Sequence, residues 1–498
     1  MTERIKPARV RFAPSPTGRT HLGSGRTALY NYLLARQTGG QFILRIEDTD
    51  QKRYVEGAEE ELMQGLRWLG MEWDEGPDVG GEYGPYRQTE RREIYAKYAR
   101  QLVEQGYAYY CFCAAKEDDG EQEDLKGKRQ QHRDVCLDRD VDLTEADQKV
   151  AGGTPHVIRF RMPSEGTITV TDAVRGDITV ENSTLDDTIL VRSDGLPVYH
   201  LAVVIDDHLM KITHAIRTSE WLPTFPLHGH IYAAFGWEEP MWIHPSIFLK
   251  PDGKGKMSKR DSEALMEAGI PIFLSDFGKF GYLPEAVVNW AALIGWSYDD
   301  KTEEFSMAEL IEKFSIEKLS PAPAALNFTK LDHFNGVYIR SLSVEDLAAR
   351  LKPFFESAGY DVGNEEKLLR VVRVLQVRLG KLTEAPEMGG FFFEEDVSPA
   401  PESLIGKKMD AASSLEMARA LEVLVGEFPD FSMDTMNQPL RDFAKEMGVK
   451  VGNVFGFLRD ALTAQRVSPP IFETMEIIGR EKVMERIAKG IDLLEKML

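Results

Sequence analysis

A disulfide framework is the first thing this sequence excludes: 498 residues carry three cysteines, Cys111, Cys113 and Cys136, all in one short stretch. Small secreted folds stapled by bridges need many more, so these thiols are free or bind a metal, in agreement with a reducing compartment. Long apolar runs are missing too. The longest mostly apolar stretch, residues 286–296, is too short to span a bilayer, and the first residues carry charge where a secretory signal needs an apolar core. The expected place of work is the cytoplasm, with no membrane partner. Basic residues are in deficit, 60 Lys and Arg against 81 Asp and Glu, for a net charge of −21. That argues against indiscriminate nucleic-acid binding, because phosphate contacts need local positive potential. It leaves room for one shaped polyanion met by basic residues confined to a few faces. No repeat period is present. The length, with an ordinary 43% hydrophobic and 28% charged content, instead fits a multidomain globular chain of roughly three to five compact units.

What is present is organised around the stretch RFAPSPTGRTHLGS at residues 11–24. It lies between an apolar strand candidate, residues 8–13, and a run at 25–37 whose apolar positions Ala28, Leu29, Tyr32, Leu33 and Ala35 recur at helical spacing. Gly39 and Gly40 stop that helix, and residues 42–46 read as the next strand, which makes a β-α-β unit. A helix N-terminus in such a unit presents unpaired N–H groups and the positive end of a dipole, so an anion is favoured against the turn. A P-loop is excluded, because neither Gly18 nor Gly23 is followed by the Gly-Lys-Ser or Gly-Lys-Thr of a triphosphate cradle. A dinucleotide fingerprint is the closer competitor: residues 23–28 fit G-x-G-x-x-A, and Glu47 stands about twenty residues further on. Against it, those glycines follow a Pro-Ser-Pro-Thr-Gly preamble and His21, which put a stiff loop and an imidazole where a dinucleotide fold wants a tight glycine turn.

Further along, residues 54–69 read as an amphipathic helix with Val55, Leu62, Leu66 and Leu69 on one face and Gly70 closing it. Residues 74–85 form a turn-rich linker and 90–104 a second charged helix. From Tyr107 the character changes to the C-x-C of Cys111 and Cys113, a polar helix-like tract, and Cys136 with His132 four residues before it. Cys111, Cys113, His132 and Cys136 would supply a tetrahedral Cys₃His set; three free thiols that happen to cluster is the plain alternative. Residues 155–191 are strand-rich, with a turn at Asp194 to Pro197, so 89–198 reads as a mixed α/β insertion. Val203, Val204 and Ile205 read as a buried strand ending in Asp206, Asp207 and His208; residues 212–217 read as another strand, and Glu220 and Trp221 open a helix. After Ser262 the chain reads as helical to its end, with segments such as 283–294, 344–358, 365–379, 415–427 and 481–497 joined by short Pro- or Gly-bearing turns, as in bundles.

Residues 21–24, HLGS, resemble the His-Ile-Gly-His signature of class I aminoacyl-tRNA synthetases, and residues 256–260, KMSKR, resemble the second signature of that class, Lys-Met-Ser-Lys-Ser. Alone, a lysine- and glycine-rich stretch is more often a solvated loop; the pairing of both signatures in the right chain order overturns that prior. Together with RIEDTD at 45–50 and YHLA at 199–202, they make the sequence similar to bacterial glutamyl-tRNA synthetases, closely over roughly the first three hundred residues and loosely over the rest. The resemblance implies an α/β fold: a Rossmann-like parallel-sheet catalytic domain at 1–88 and 199–240, split by the mixed α/β insertion at 89–198, which would hold the tRNA acceptor end. Residues 241–335 would carry the KMSKR loop and stem-contact helices, and 336–385 and 386–498 two all-helical anticodon-binding domains. The helical last third points to the glutamyl branch and away from glutaminyl enzymes, whose corresponding part is built of barrels.

The implied reaction has two steps. The α-carboxylate of L-glutamate attacks the α-phosphorus of ATP and releases pyrophosphate; a ribose hydroxyl at the 3′ end of tRNA(Glu) then takes the acyl group. Neither step needs a protein nucleophile, since positioning and charge stabilisation serve an in-line displacement. By resemblance His21, Lys256 and Lys259 are the catalytic residues, and Pro14, Gly18, His21, Gly23, Ser24 and Lys259 bind ATP, which comes with Mg²⁺. Arg11, Ala13, Ser15, Glu47, Tyr199 and Arg217 would hold L-glutamate. Arg11 and Arg217 are the cations whose planar fork meets the side-chain carboxylate, and Glu47 is the anion for the α-amino group. A glutaminyl site lacks the second arginine, so Arg217 is expected to select glutamate.

Arg378 stands at the family position that reads the third anticodon base, with a solvated helical arginine as the plain alternative. Some members carry a structural zinc on a C-x-C pair and a later C-x-His or Tyr-x₃-Cys arrangement; here His132 and Asp138 compete as fourth ligand of an expected Zn²⁺. The family generally activates its amino acid only with tRNA bound. The implied partners are L-glutamate, ATP and tRNA(Glu), with the chain acting as a monomer. Competing readings are a glutaminyl or tRNA-modifying relative, an inactive paralogue that only binds tRNA, and a nicotinamide oxidoreductase resting on the glycine match.

Overall fold

The computed structural model describes residues 6–113, 131–257, 259–299 and 301–498, and of Lys259 and Arg260 the backbone alone. The polar tract expected after Cys113 lies outside the described residues, as does the Lys259 side chain. The chain divides into two compact units, Met1–Phe277 with Pro284–Leu331, and Gly278–Leu283 with Asp332–Leu498.

The first unit opens as β1 (Arg9–Phe12), α1 (Leu22–Thr38) and β2 (Gln41–Leu44), the two strands parallel with Val10 opposite Phe42. Helix α1 starts three residues earlier than its apolar spacing suggests, because His21 caps it: the ring Nδ1 accepts the Gly23 N–H at 3.0 Å, a task that short polar side chains usually perform. Gly23 and Ser24 therefore lie in the first helical turn, not in the loop. At the other end Gly39 adopts φ 66°, and a Cβ on Gly40 would fall 1.9 Å from the Ala8 carbonyl oxygen, so only glycine lets the chain turn straight back beside β1. Next come α2 (Ala58–Trp68) and α3 (Arg92–Glu104). The helix expected from residue 54 begins at Ala58, where Gly57 takes φ 81°.

A mixed segment follows: β3 (Ala108–Cys111), the short α4 (His132–Val135), α5 (Leu143–Ala151), β4 (Val157–Phe160), β5 (Thr167–Asp172), β6 (Gly176–Glu181) and β7 (Ile189–Val191). Then the chain forms α6 (Tyr199–Leu209), β8 (His214–Ile216), α7 (Phe225–Phe235) and β9 (Met241–Ile243). Strands β3, β4 and β7 make an antiparallel sheet, while β5 and β6 form a hairpin that extends the parallel pair β9 and β8. The Thr213 N–H donates to the Arg9 carbonyl at 2.9 Å, which sets β8 beside β1.

Residues 203–205 are not the strand expected of them but the middle of α6. A short apolar run rich in β-branched residues fits either period, and its surroundings decide. Here α6 packs against both α3 and α7, so Val203, Val204 and Ile205 are all fully buried. The helical period also puts Asp206 and Asp207 two turns on from Tyr199, on its side of the helix.

The first unit ends with β10 (Phe248–Leu249), α8 (Lys259–Glu267), α9 (Leu274–Phe277), α10 (Pro284–Ala292), α11 (Met307–Lys313) and β11 (Ala324–Ala325). Because β11 pairs with β10, the chain after Ser262 is not wholly helical.

In the second unit the described residues form helices and turns only: the later part of α12 (Phe328–Ser341), then α13 (Val344–Ser357), α14 (Glu365–Leu375), α15 (Ala385–Gly389), α16 (Ala411–Glu427), α17 (Met433–Glu446), α18 (Val451–Thr463), α19 (Ile471–Ile478) and α20 (Arg480–Glu495). Their starts are written locally. Ser343, Asn364, Asp410 and Ser432 each accept a backbone N–H three residues on. Among the described residues no helix is long and apolar enough to cross a membrane.

Candidate active site

The loop between β1 and α1 is tied to the end of β2. The Arg45 N–H donates to the Phe12 carbonyl and the Glu47 N–H to the Pro14 carbonyl, at 3.0 and 2.9 Å, so Glu47 stands beside the loop. Arg217 leaves β8 with its N–H on the Ile243 carbonyl, and Tyr199 is the first residue of α6. These ends meet at a cavity of about 360 Å³ that all six glutamate candidates line, Arg11, Ala13, Ser15, Glu47, Tyr199 and Arg217, together with Pro14 and Ser24. A second cavity of about 190 Å³ is lined by His21, Gly23, Arg26, Glu220, Phe248 and Lys256. Ser24 and Thr218 line both, so the two adjoin. Gly18, at φ 133° in the loop, lines neither.

The second signature reaches the same place. Lys256 pairs in β fashion with Leu249, and its ammonium rests on Glu220 across the smaller cavity. Helix α8 begins at Lys259, and one turn later the Ser262 hydroxyl lies 3.3 Å from His21 Nε2. Burial pushes the His21 imidazole down to about 4, against the pull of Glu220, so the ring is neutral near pH 7. Since Nδ1 accepts from Gly23, the single ring proton sits on Nε2, the nitrogen that faces the Ser262 hydroxyl.

The two expected cations are engaged differently. Arg11 donates through Nε to Asp207 at 2.9 Å and through Nη1 to the Ile216 carbonyl. Asp207 also receives Arg45 at 2.8 Å, while the neighbouring Asp206 receives Arg91 at 2.7 Å and the Tyr95 hydroxyl at 2.8 Å. Arg217 has no carboxylate partner among the described residues. Its Nη1 donates to the Tyr199 hydroxyl at 3.2 Å, its plane lies over Trp242 at 4.6 Å, and its Nη2, although buried, donates to no protein group. Tyr199 itself stacks on Trp221 with ring centres 4.1 Å apart. Glu47 is pushed up to about 7 by burial, against the opposing fields of Arg45 and Arg11.

Sequence reasoning passed over Asp207, Asp206 and Arg45. A pair of acids closing an apolar run was the available signal, since buried carboxylates demand cations; the strand reading of that run hid it by putting Asp206 and Asp207 on opposite faces.

Away from these cavities, the Sγ atoms of Cys111, Cys113 and Cys136 and the Nε2 of His132 cluster with all four atoms within 4.8 Å of one another. Cys111 lies 3.1, 3.4 and 3.7 Å from Cys113, His132 and Cys136, and Cys113 lies 3.7 and 3.6 Å from His132 and Cys136, close to the roughly 3.5–3.8 Å edges of a tetrahedron around zinc. Burial and the neighbouring sulfurs push the Cys113 and Cys136 thiols up, so a metal would have to supply the charge that keeps them as thiolates. Of the two candidates for fourth ligand, His132 is in the cluster. Asp138 turns its carboxylate onto the Phe112 and Cys113 N–H groups at 2.7 and 3.1 Å, where it shapes the C-x-C turn. In the second unit Arg378 is exposed and lies in the turn after α14, which ends at Leu375, so it is not the helical residue expected.

Comparison with known proteins returns two family models, tRNA synthetases class I (E and Q), catalytic domain, over residues 7–333, and an anticodon binding domain over residues 346–491. Among curated proteins the chain is 43% identical over 495 residues to a glutamate–tRNA ligase of Dehalococcoides mccartyi, covering 98% of each. It is 44% identical over 492 residues to one of a Roseiflexus species, covering 97% of this chain and 96% of that one. Among solved structures it matches a glutamate tRNA ligase from Elizabethkingia meningosepticum in complex with its amino acid, at TM-score 0.87 and 37% identity over 98% of this chain and 99% of the other.

Proposed function

We propose a reaction from one premise: the chain belongs to the class I (E and Q) tRNA synthetase family, and it is a glutamate–tRNA ligase. The observation that carries the choice of substrate is Arg217, a buried cation lining the larger cavity with no carboxylate partner among the described residues and a spare donor at Nη2. An acidic side chain completes that site; an amide would leave the charge uncompensated. Glu47 takes the α-ammonium, whose arrival draws its pKa down, and Ser15 and Tyr199 hold the amino acid between them.

ATP occupies the smaller cavity. The glutamate α-carboxylate oxygen attacks the α-phosphorus, the bond to the bridging oxygen breaks, and pyrophosphate leaves with the electron pair. His21 Nε2–H donates to a phosphate oxygen, while Lys256 and Lys259 meet the charge gathering on the leaving group. The carboxylate lining this cavity, Glu220, is already taken by Lys256, so Mg²⁺ would be held by the ATP phosphates, where it neutralises charge. In the second step a ribose hydroxyl of the tRNA 3′ end attacks the acyl carbon, the acyl carbon–oxygen bond to AMP breaks with its electron pair, and the hydroxyl proton passes to the departing phosphate. The division into insertion 89–198 for the acceptor end and helical parts 336–385 and 386–498 for the anticodon, with Arg378 as a reader, belongs to this proposal, as does action as a monomer.

Glutamate-dependent exchange of pyrophosphate into ATP, run with and without tRNA, tests the reading. Exchange with glutamate in the presence of tRNA(Glu), and none with glutamine, is the expected result; exchange with neither amino acid overturns it. The Cys₃His cluster would hold a structural zinc that ties the C-x-C turn to α4. Protein purified without chelator should contain about one zinc per chain, and less than about half would contradict the site.

A further inference from the structure

Arg217 is held by two side chains that the reaction above leaves without a role. Its Nε–H donates to His244 Nε2 at 2.9 Å, and His244 Nδ1 lies 2.7 Å from Asp172 Oδ2, with imidazole and carboxylate both fully buried. A guanidinium can only donate, so Nε2 is the accepting nitrogen and the single ring proton sits on Nδ1, donated to Asp172. Burial pushes His244 down to about 4, so it stays neutral near pH 7. The other Asp172 oxygen, Oδ1, accepts the Val174 and Arg175 N–H groups at 3.0 and 2.9 Å, which fixes which oxygen faces the ring. Asp172 comes from the end of β5, where it lies beside Trp242 of β9, while His244 follows β9 directly.

We propose that Asp172 and His244 are positioning residues for amino-acid selection: Asp172 sets the His244 tautomer, and His244 fixes the guanidinium plane of Arg217, leaving Nη2 for the substrate carboxylate. This rests on the reading that Arg217 receives the glutamate side chain. The choice of a neutral histidine as the direct partner has a physical reason. A carboxylate at the same place would orient Arg217 equally well but would cancel the charge that an acidic substrate needs to find.

The variant Asp172→Asn isolates the tautomer. The two backbone N–H groups retain the amide oxygen at Oδ1, so the new NH₂ faces Nδ1, which must then accept. The ring proton moves to Nε2 and confronts Arg217 Nε–H, donor against donor, in a side chain of unchanged shape, as when the orienting acid of a catalytic triad becomes an amide. In protein carrying ¹⁵N-labelled histidine, the protonated nitrogen of His244 should pass from Nδ1 to Nε2. The glutamate KM should rise about tenfold or more, and preference over glutamine should fall, with the ATP KM and kcat at saturating glutamate within about twofold. An exchanged tautomer with an unaltered glutamate KM overturns the proposal, as does a wild-type ring already protonated at Nε2. Should Asp172→Asn not fold, His244→Gln and His244→Ala decide: the glutamine carbonyl can still accept from Arg217, so Gln should keep selectivity that Ala loses, and equal loss in both overturns the idea. Arg217→Ala separates the two levels. If it leaves the glutamate KM unchanged, the reading of the site fails; if it raises KM while the Asp172 and His244 variants do not, the positioning role alone fails.

Discussion

Around its larger cavity the first unit buries Arg11, Arg45, Arg91, Asp206, Asp207 and Glu47, each with a side chain no more than 6% exposed, whereas the second unit is centred on Leu421, Leu440, Leu458 and Ile487, none of them exposed at all. The second arrangement is what stability alone selects, since each fully buried aliphatic side chain contributes about 1.5–3 kcal/mol. The first is not, because a buried ion network gains little over an apolar core of the same shape. What the network supplies is a fixed wall to the cavity that Arg217 also lines, a cation with no carboxylate partner among the described residues. The difference separates residues kept for cohesion from residues kept for a ligand.

The strongest way to break that comparison is Asp207→Asn. It leaves Arg11 and Arg45 without their shared buried anion and should cost the first unit about 3–5 kcal/mol, read as a lowered calorimetric transition. A loss under about 1 kcal/mol would mean that the network is wet and the contrast false. Next comes Lys259→Ala, which should slow glutamate activation by about 3 kcal/mol, a hundredfold or more, with little change in glutamate binding, because the charge it meets gathers mostly in the transition state. An unaltered single-turnover rate would remove Lys259 from the reaction.

A pH profile sharpens the same contrast on a smaller scale. Glu47 is raised to about 7, so its carboxylate is protonated below that value and charged above it. Ammonium binding should therefore be lost as pH falls through 7, with a glutamate KM about tenfold higher at pH 6 than at pH 8. Burial pushes His21, which lines the smaller cavity, and the buried His200 and His244 down to about 4, so they do not contribute in this window. A flat KM would show that Glu47 is already ionised. The smallest effect belongs to the helical unit, where Ser432→Ala removes the cap of α17 and should lower stability by about 1 kcal/mol without touching glutamate activation.

Much of this architecture can be read from short stretches of chain. The strand, loop and helix at the start and the C-terminal helices with their Ser, Asn and Asp caps depend on residues a few positions apart. At that range spacing and side-chain chemistry determine the outcome. The errors have a common origin in longer range. Residues 203–205 are helical because α3 and α7 cover them, and the last part of the chain is not wholly helical because β11 pairs with the distant β10. Of the two candidates left open for fourth ligand, Asp138 stays out of the Cys₃His cluster because the Phe112 and Cys113 N–H groups, 26 and 25 positions away, claim it.

The sequence by itself determined which chemistry is present: two signatures, two arginines, one glutamate and a thiol cluster. Only the tertiary structure decided which arginine is spoken for. Arg11 meets Asp207 across 196 positions and Arg217 meets His244 across 27, with Asp172 a further 72 away in sequence from that histidine. Whether a buried cation is neutralised or left open depends on such meetings, because Coulomb and hydrogen-bond terms act over a few ångströms of space and take no account of distance along the chain.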